Sequence, residues 1–298
     1  MLSFIRCNLC GKEKYETLHK SRTESEVLSE SEFNCTSIKH GKFGQIVKCC
    51  NCGLIYRNPR EEPECLARAY TTTVDYTYNY EAKGRYLTFE KLVKFVSSFI
   101  KEGYLCDIGC YTGIYLDLMR KIGWKVFGVE PSIWASDEAR KQGLDVLTGS
   151  VKNMKSFNNK FDVITMWDTI EHLSDPSGSL SIIQHCLKEE GLLFFTTMNV
   201  DSIFAKCLRK KWPWFMKMHL YYFNHDTITR MLKEHDFSIL CIKSYSHIVS
   251  MRYLVYKILH SLFFLKSSKD IYRKLSFMPD FCIPVNLGDF MLVVAKKV

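Results

Sequence analysis

The 298-residue sequence has no hydrophobic run long enough to cross a bilayer. Its longest apolar stretch, 258–265, is broken by His260 and Ser261 and falls far short of the roughly 20 residues that a spanning helix needs. The start, MLSFIRCNLC, has neither a signal-peptide core nor a small-residue cleavage site, so secretion is not expected and the cytoplasm is the expected location. Basic residues never gather into a dense block. The 41 lysines and arginines against 32 acidic residues give a formal charge of +9, too dispersed to select nucleic acid or an anionic membrane by itself. A disulfide framework is missing as well: the thirteen cysteines are an odd, scattered set, and Cys106, Cys186 and Cys241 lie inside apolar runs, where they read as small core residues. No internal repeat or low-complexity segment is present, which leaves no repeat architecture to consider.

What is present suits one large globular domain with a smaller one attached, since 47% of residues are hydrophobic and 24% charged. Residues 1–60 are polar, without a long amphipathic period, and need a staple to fold. Cys7-Asn8-Leu9-Cys10-Gly11 is answered by Cys49-Cys50-Asn51-Cys52-Gly53. In each pair the two intervening residues let both sulfurs turn toward one ion, and the glycine permits the positive φ of the tight turn. Four thiolates close a tetrahedral site, so Cys7, Cys10, Cys49 and Cys52 are expected to hold a structural zinc in a ribbon-like module. Cys49, rather than Cys50, matches the first pair in spacing and glycine placement. The competing reading is free thiols or a redox pair. His19, Cys35 and His40 lie between the pairs but lack their geometry.

Residues 61–100 read as a linker and lid helix, with tyrosines from Tyr70 to Tyr86, then Leu87, Leu92, Val93, Val96 and Ile100 at helical spacing. From 101 to 298 the pattern alternates between short β-like runs and helical ones, the mark of a parallel sheet wrapped by helices. Strands are expected over 104–108, 125–129, 145–147, 161–166, 192–197, 237–242 and 290–295. Helices are expected near 114–122, 132–142, 176–188 and 226–235, the last capped by Asn224. An insertion of aromatic and basic character occupies about 247–284.

The first strand runs into Asp107-Ile108-Gly109-Cys110-Tyr111-Thr112-Gly113, a loop whose glycines let the backbone approach a ligand at the strand's carboxyl end. A dinucleotide loop carries a third glycine and cradles a pyrophosphate. Here that glycine is missing and a carboxylate, Asp107, stands at the strand end, which suits a ligand bearing an ammonium group and neutral hydroxyls. Glu130 ends the second strand about 20 residues on, where an acid grips ribose hydroxyls. S-Adenosylmethionine is such a ligand.

These blocks, with Phe161-Asp-Val-Ile-Thr-Met-Trp-Asp-Thr-Ile-Glu-His-Leu173, Leu187-Lys-Glu-Glu-Gly-Leu-Leu-Phe-Phe-Thr-Thr197 and His219-Leu-Tyr-Tyr-Phe-Asn224, resemble class I S-adenosylmethionine-dependent methyltransferases. The resemblance implies an α/β, Rossmann-like, seven-stranded sheet whose last strand is antiparallel. It places Asp107, Gly109 and Gly113 at the methionine side of the cofactor and Glu130 at its ribose. It also places the segment Gly149-Ser150-Val151 near the adenine, although many relatives carry an acid where Ser150 stands, and Met166 and Trp167 at the cofactor's border. Joined to a four-cysteine module, the pattern resembles methyltransferases of sugar and glycan biosynthesis.

A hydroxyl acceptor needs a general base. His172 follows the fourth strand, with Asp168 four residues earlier to orient it if the segment is helical. The alternative is that Glu171 and His172 anchor a turn. His219, in a block that borders the acceptor pocket in the family, is the second candidate; His225 is the third and also suits capping. Tyr70, Tyr76, Tyr78 and Tyr80 suit either a lid or a wrap on the core. In the insertion, Arg252, Lys257, Lys266, Lys269, Arg273 and Lys274 stand beside aromatics, which fits peripheral membrane contact or a lipid-linked glycan, or else a helix packed on its own domain or on a second subunit. The expected reaction is O-methylation of a sugar or glycan hydroxyl, with C-methylation of a nucleotide sugar or O-methylation of a quinone-like molecule as alternatives. A zinc-dependent nucleic-acid-binding module is the rival of a different class; against it, basic residues do not cluster around the cysteine pairs with aromatic partners.

Overall fold

The computed structural model describes residues 2–22, 41–75, 78–263, 272, 275–277, 279 and 281–298. Seven strands build the central sheet: β1 (Tyr104–Ile108), β2 (Lys125–Glu130), β3 (Val146–Thr148), β4 (Phe161–Trp167), β5 (Leu187–Met198), β6 (Phe237–Ser244) and β7 (Phe290–Lys297). Their order across the sheet is β6-β7-β5-β4-β1-β2-β3. The pairs from β5 to β3 are parallel, and β7 runs antiparallel to both of its neighbours. This arrangement brings the carboxyl ends of β1, β2, β4 and β5 to one edge, where open α/β sheets bind ligands.

The strands read as near-continuous apolar runs because both faces are covered. On β4 successive side chains divide between two cores. Val163 packs with Leu92, Val93 and Val96 of helix α2 (Ala82–Phe99), whereas Ile164 and Met166 pack with residues of α5 (Pro176–Cys186) and α7 (His225–Lys233). Helix starts follow side-chain chemistry. Ser132, Asp175 and Asn224 each accept a first-turn amide, opening α4 (Ile133–Lys141), α5 and α7 respectively. The helix α3 (Ile114–Lys121) starts from Gly113 in the left-handed region instead. The largest departure from the expected boundaries is at β5: α5 ends at Cys186 and β5 begins at Leu187, not 192, while other ends shift by one or two residues. Leu187 is fully buried and pairs with Phe161, after which the strand bulges and resumes at Leu192.

The N-terminal strands Tyr15–His19, Ile46–Cys49 and Ile55–Arg57 form an antiparallel sheet whose fourth member, Tyr221–Tyr222, comes from far along the chain. The cysteine module and the segment after His219 therefore share one sheet. Helix α1 (Pro63–Thr71) then leads to α2. In the insertion, strand His247–Ser250 pairs with Cys282–Val285, and α8 (Met251–Phe263) packs Tyr253 and Tyr256 with Leu275, while Tyr80 stacks on Tyr272 at 4.3 Å. Cys35, His40, Tyr76, Lys266, Lys269, Arg273 and Lys274 lie outside the described residues. Among the described residues no helix is long and apolar enough to cross a membrane.

Candidate active site

At the end of β1, Gly109 (φ 77°) and Gly113 (φ 82°) adopt left-handed conformations. A Cβ at Gly109 would lie 2.6 Å from Thr169 Oγ1 and one at Gly113 2.3 Å from Leu144 Cδ1, so the loop needs glycine for both conformation and space. Asp107 is buried beneath this loop and accepts a hydrogen bond of 2.6 Å from Thr165 Oγ1 on β4. Burial pushes its carboxyl up to about 8. Glu130, equally buried at the end of β2, accepts the amides of Tyr111 (2.9 Å) and Ser132 (2.8 Å), and burial pushes it up to about 7. Neither carboxylate has a cationic partner among the described residues. Ser150 caps the short turn Val151–Met154 next to β3, Val151 and Met166 are buried in the core, and Trp167 closes β4. Above the loop, Tyr78 packs on Tyr111 at 4.4 Å, and Ser132 Oγ donates to Thr73 O. Thr73 and Tyr78, after α1, thus lie against the segments that follow β1 and β2.

At the end of β4, Asp168 has φ 49°, an uncommon conformation for a residue with a side chain. Thr196 Oγ1 holds it by accepting its amide (2.9 Å) and donating to its carboxylate (2.7 Å). The Asp168 carboxylate faces His247 Nε2 at 3.6 Å. The following short turn, Ile170–His172, carries Glu171 inward, where Thr197 donates to it at 2.8 Å and burial pushes it up to about 8. His172 sets Nδ1 against Tyr70 Oη (2.9 Å) and Met218 O (3.1 Å). Burial pushes this imidazole down to about 4, which leaves it neutral at physiological pH. His219 sets its own Nδ1 against Trp214 O at 2.7 Å. A carbonyl only accepts, so His219 Nδ1 carries a proton and donates to Trp214 O. The two rings meet at 4.8 Å, with Glu171 beside them. His225 opens α7 on an exposed position.

The four sulfurs of Cys7, Cys10, Cys49 and Cys52 all lie within 4.8 Å of one another, with closest pairs at 3.4 and 3.5 Å. A tetrahedral thiolate site with bonds of about 2.3 Å separates its sulfurs by about 3.8 Å, so the donor set fits one zinc ion. Both turns are built alike: Gly11 N donates to Cys7 O and Gly53 N to Cys49 O, each glycine having positive φ. Cys50 points to solvent and His19 packs on Phe215 instead.

Asp107, Gly109, Gly113 and Glu130 stand in one contiguous motif. Partners drawn from distant segments were not readable in the sequence: Thr165 for Asp107, Thr197 for Glu171, His247 for Asp168, and Tyr70 for His172, which the tyrosine-rich stretch pointed to only as a lid.

A family model described as a methyltransferase domain matches residues 80–242, more than half of the chain. The chain belongs to this methyltransferase family. A ubiquinone biosynthesis O-methyltransferase of Actinobacillus pleuropneumoniae serotype 7 is 39% identical over 107 residues, covering 31% of this chain and 44% of that protein. A tRNA U34 carboxymethyltransferase of Campylobacter hominis is 28% identical over 153 residues, covering 47% of this chain and 53% of that protein. The chain thus spans about half, or less, of the length of these curated relatives. The crystal structure of a SAM-dependent methyltransferase from Archaeoglobus fulgidus matches with a TM-score of 0.52 at 18% identity, over 75% of this chain and 100% of that one. That likeness is one of fold. The chain's central sheet is the Rossmann-like mixed sheet of seven strands described above.

Proposed function

We propose that this methyltransferase O-methylates a hydroxyl of a small acceptor, with a histidine on the acceptor side taking the proton. The observation that carries the reading is the presence, at one edge of the sheet, of two buried carboxylates with no cationic partner among the described residues and of two imidazole rings in contact. When bound, S-adenosylmethionine supplies an electrophilic methyl group on a cationic sulfur. Asp107 and Glu130 hold it, and the Gly109 and Gly113 backbone admits it closely. His172 and His219 each hold Nδ1 at a backbone carbonyl, which directs Nε2 as the proton acceptor.

The cysteine quartet holds zinc as a structural ion. Asn8, between two of the cysteines, donates to Asp175 and accepts Ser177 N at the start of α5. This internal use of the knuckle supports a scaffolding role over nucleic-acid binding. The described part of α8 packs on its own domain, and Lys257 is buried enough that its ammonium is pushed down to about 7, which favours internal packing over membrane contact. A cytoplasmic location completes the reading.

Two acceptor classes remain. A sugar or glycan hydroxyl is supported by the resemblance that the cysteine module carries. A quinol-like phenol is supported by the names of relatives such as the Actinobacillus protein. Incubating the full chain with [methyl-14C]S-adenosylmethionine and either uridine diphosphate glucose or 3,4-dihydroxybenzoate separates them. We expect label on an acceptor oxygen; label on carbon would refute O-methylation.

A further inference from the structure

The turn that carries His219 exposes five consecutive carbonyls to the protein interior, and each finds a donor. Met216 O accepts from His219 N at 3.3 Å, His219 O accepts from Tyr222 Oη at 3.2 Å, and Met218 O meets His172 Nδ1. The remaining two, Lys217 O and Leu220 O, both go to Arg57: its guanidinium donates to Lys217 O, and its amide to Leu220 O at 2.9 Å. Leu220 N in turn donates to Glu171 O at 2.9 Å. Arg57 is 1% exposed and pairs with Glu61 at 2.5 Å, while Gly44 lies against its guanidinium, 3.2 Å from where a Cβ would sit. A buried ion pair is an expensive way to stabilise a fold, and an apolar pair of similar volume often does as well. Here the guanidinium also does something an apolar group cannot: it grips the backbone on one side of His219 while its own strand grips the other.

We propose that Arg57, on the cysteine module, is a positioning residue for methyl transfer: it clamps the 217–220 turn and so sets the His219 imidazole against His172. The module is then one wall of the acceptor site. This rests on the reading of His219 as part of the proton-accepting pair. Arg57→Lys keeps the charge but loses the planar fork that serves Glu61 and Lys217 O together. The double variant Arg57→Met/Glu61→Met removes the pair without leaving a lone buried charge.

The test compares both variants, as full chains, with wild type. It uses long-range 15N spectra of the imidazoles, with the His219 signal assigned by its loss in His219→Gln. It adds S-adenosylhomocysteine affinity and, with whichever of 3,4-dihydroxybenzoate or uridine diphosphate glucose is methylated, kcat and KM. We expect S-adenosylhomocysteine affinity within about twofold of wild type, a His219 signal that leaves the pure Nδ1-protonated form, and kcat down about 10- to 100-fold with KM little changed. An unchanged His219 signal in a folded variant, or failure of both variants to fold, assigns Arg57 to the fold alone and overturns the proposal. If His219→Gln itself keeps full turnover, the base reading fails, while the imidazole spectra still decide whether Arg57 positions the ring.

Discussion

The two halves of the site solve the burial of polar groups in opposite ways. On the side proposed for the cofactor, Asp107 and Glu130 are buried with hydroxyl and amide donors but with no cation among the described residues. On the acceptor side Glu171, His172, His219 and the carbonyls of 216–220 are each paired within the protein, and the imidazoles are tied at Nδ1. Buried polar groups left short of partners mark where a ligand completes the structure, and fully paired ones mark where geometry is being held.

The largest effect that would break this contrast comes from the cysteines. If the module is the acceptor wall, the Cys7→Ser/Cys49→Ser variant should lose nearly one equivalent of zinc and expose residues 41–61 to protease, because folding of such modules is coupled to metal. The cofactor half should survive, with S-adenosylhomocysteine still bound. Full zinc content and unchanged protease resistance in the variant would dissolve the distinction between the halves.

Next in size is the proton acceptor. His172→Gln or His219→Gln, whichever removes the base, should lower kcat about 10²- to 10⁴-fold with cofactor affinity nearly intact. Wild-type turnover in both variants would move the role to Asp168 with His247, which face each other at the end of β4.

The same contrast explains what could be read in advance. Asp107, Gly109, Gly113 and Glu130 stand in one strand-loop-helix-strand unit, where spacing along the chain is spacing in the fold, and the strand 104–108 was read to the residue. The acceptor half draws on Arg57, Tyr70, the turn Ile170–His172, the segment 214–222 and His247. No periodicity links these. Pairing of Ile55–Arg57 with Tyr221–Tyr222 helps bring His219 to the cysteine module, and a two-residue strand leaves no pattern in a sequence. The Asp168 spacing suggested a helical partner for His172, yet Asp168 turns through positive φ toward Thr196 and His247.

A smaller effect tests the cofactor half directly. Asp107→Asn should weaken S-adenosylmethionine binding by about 10- to 100-fold, the range expected on losing a charge-assisted contact of roughly 1.5–3 kcal/mol. Calorimetry measures it, and unchanged affinity would show that Asp107 does not face the ligand's charge.

The smallest effect, and the one most particular to this site, is its pH dependence. Asp107 and Glu130 are raised by burial to about 8 and about 7, well above their ordinary values. The ligand-free fold therefore holds these protons more tightly than the unfolded chain does. The sign follows: their contribution to stability is most favourable below about pH 4 and is lost as pH rises toward 8, because the folded state must then bury uncompensated charge. A cationic ligand reverses this, since it interacts best with the ionised carboxylates. Affinity for S-adenosylmethionine should accordingly rise with pH, by about tenfold between pH 7 and pH 9 from Asp107 alone, as the fraction ionised climbs through its shifted pKa. The thermal shift that the ligand produces should grow over the same interval. The ligand's own amine titrates in this range, so Asp107→Asn is the control: it retains the ligand's titration and loses the part owed to the carboxylate. If wild type and Asp107→Asn show the same slope, the buried carboxylate is not what the cation meets, and the cofactor half is as self-sufficient as the acceptor half.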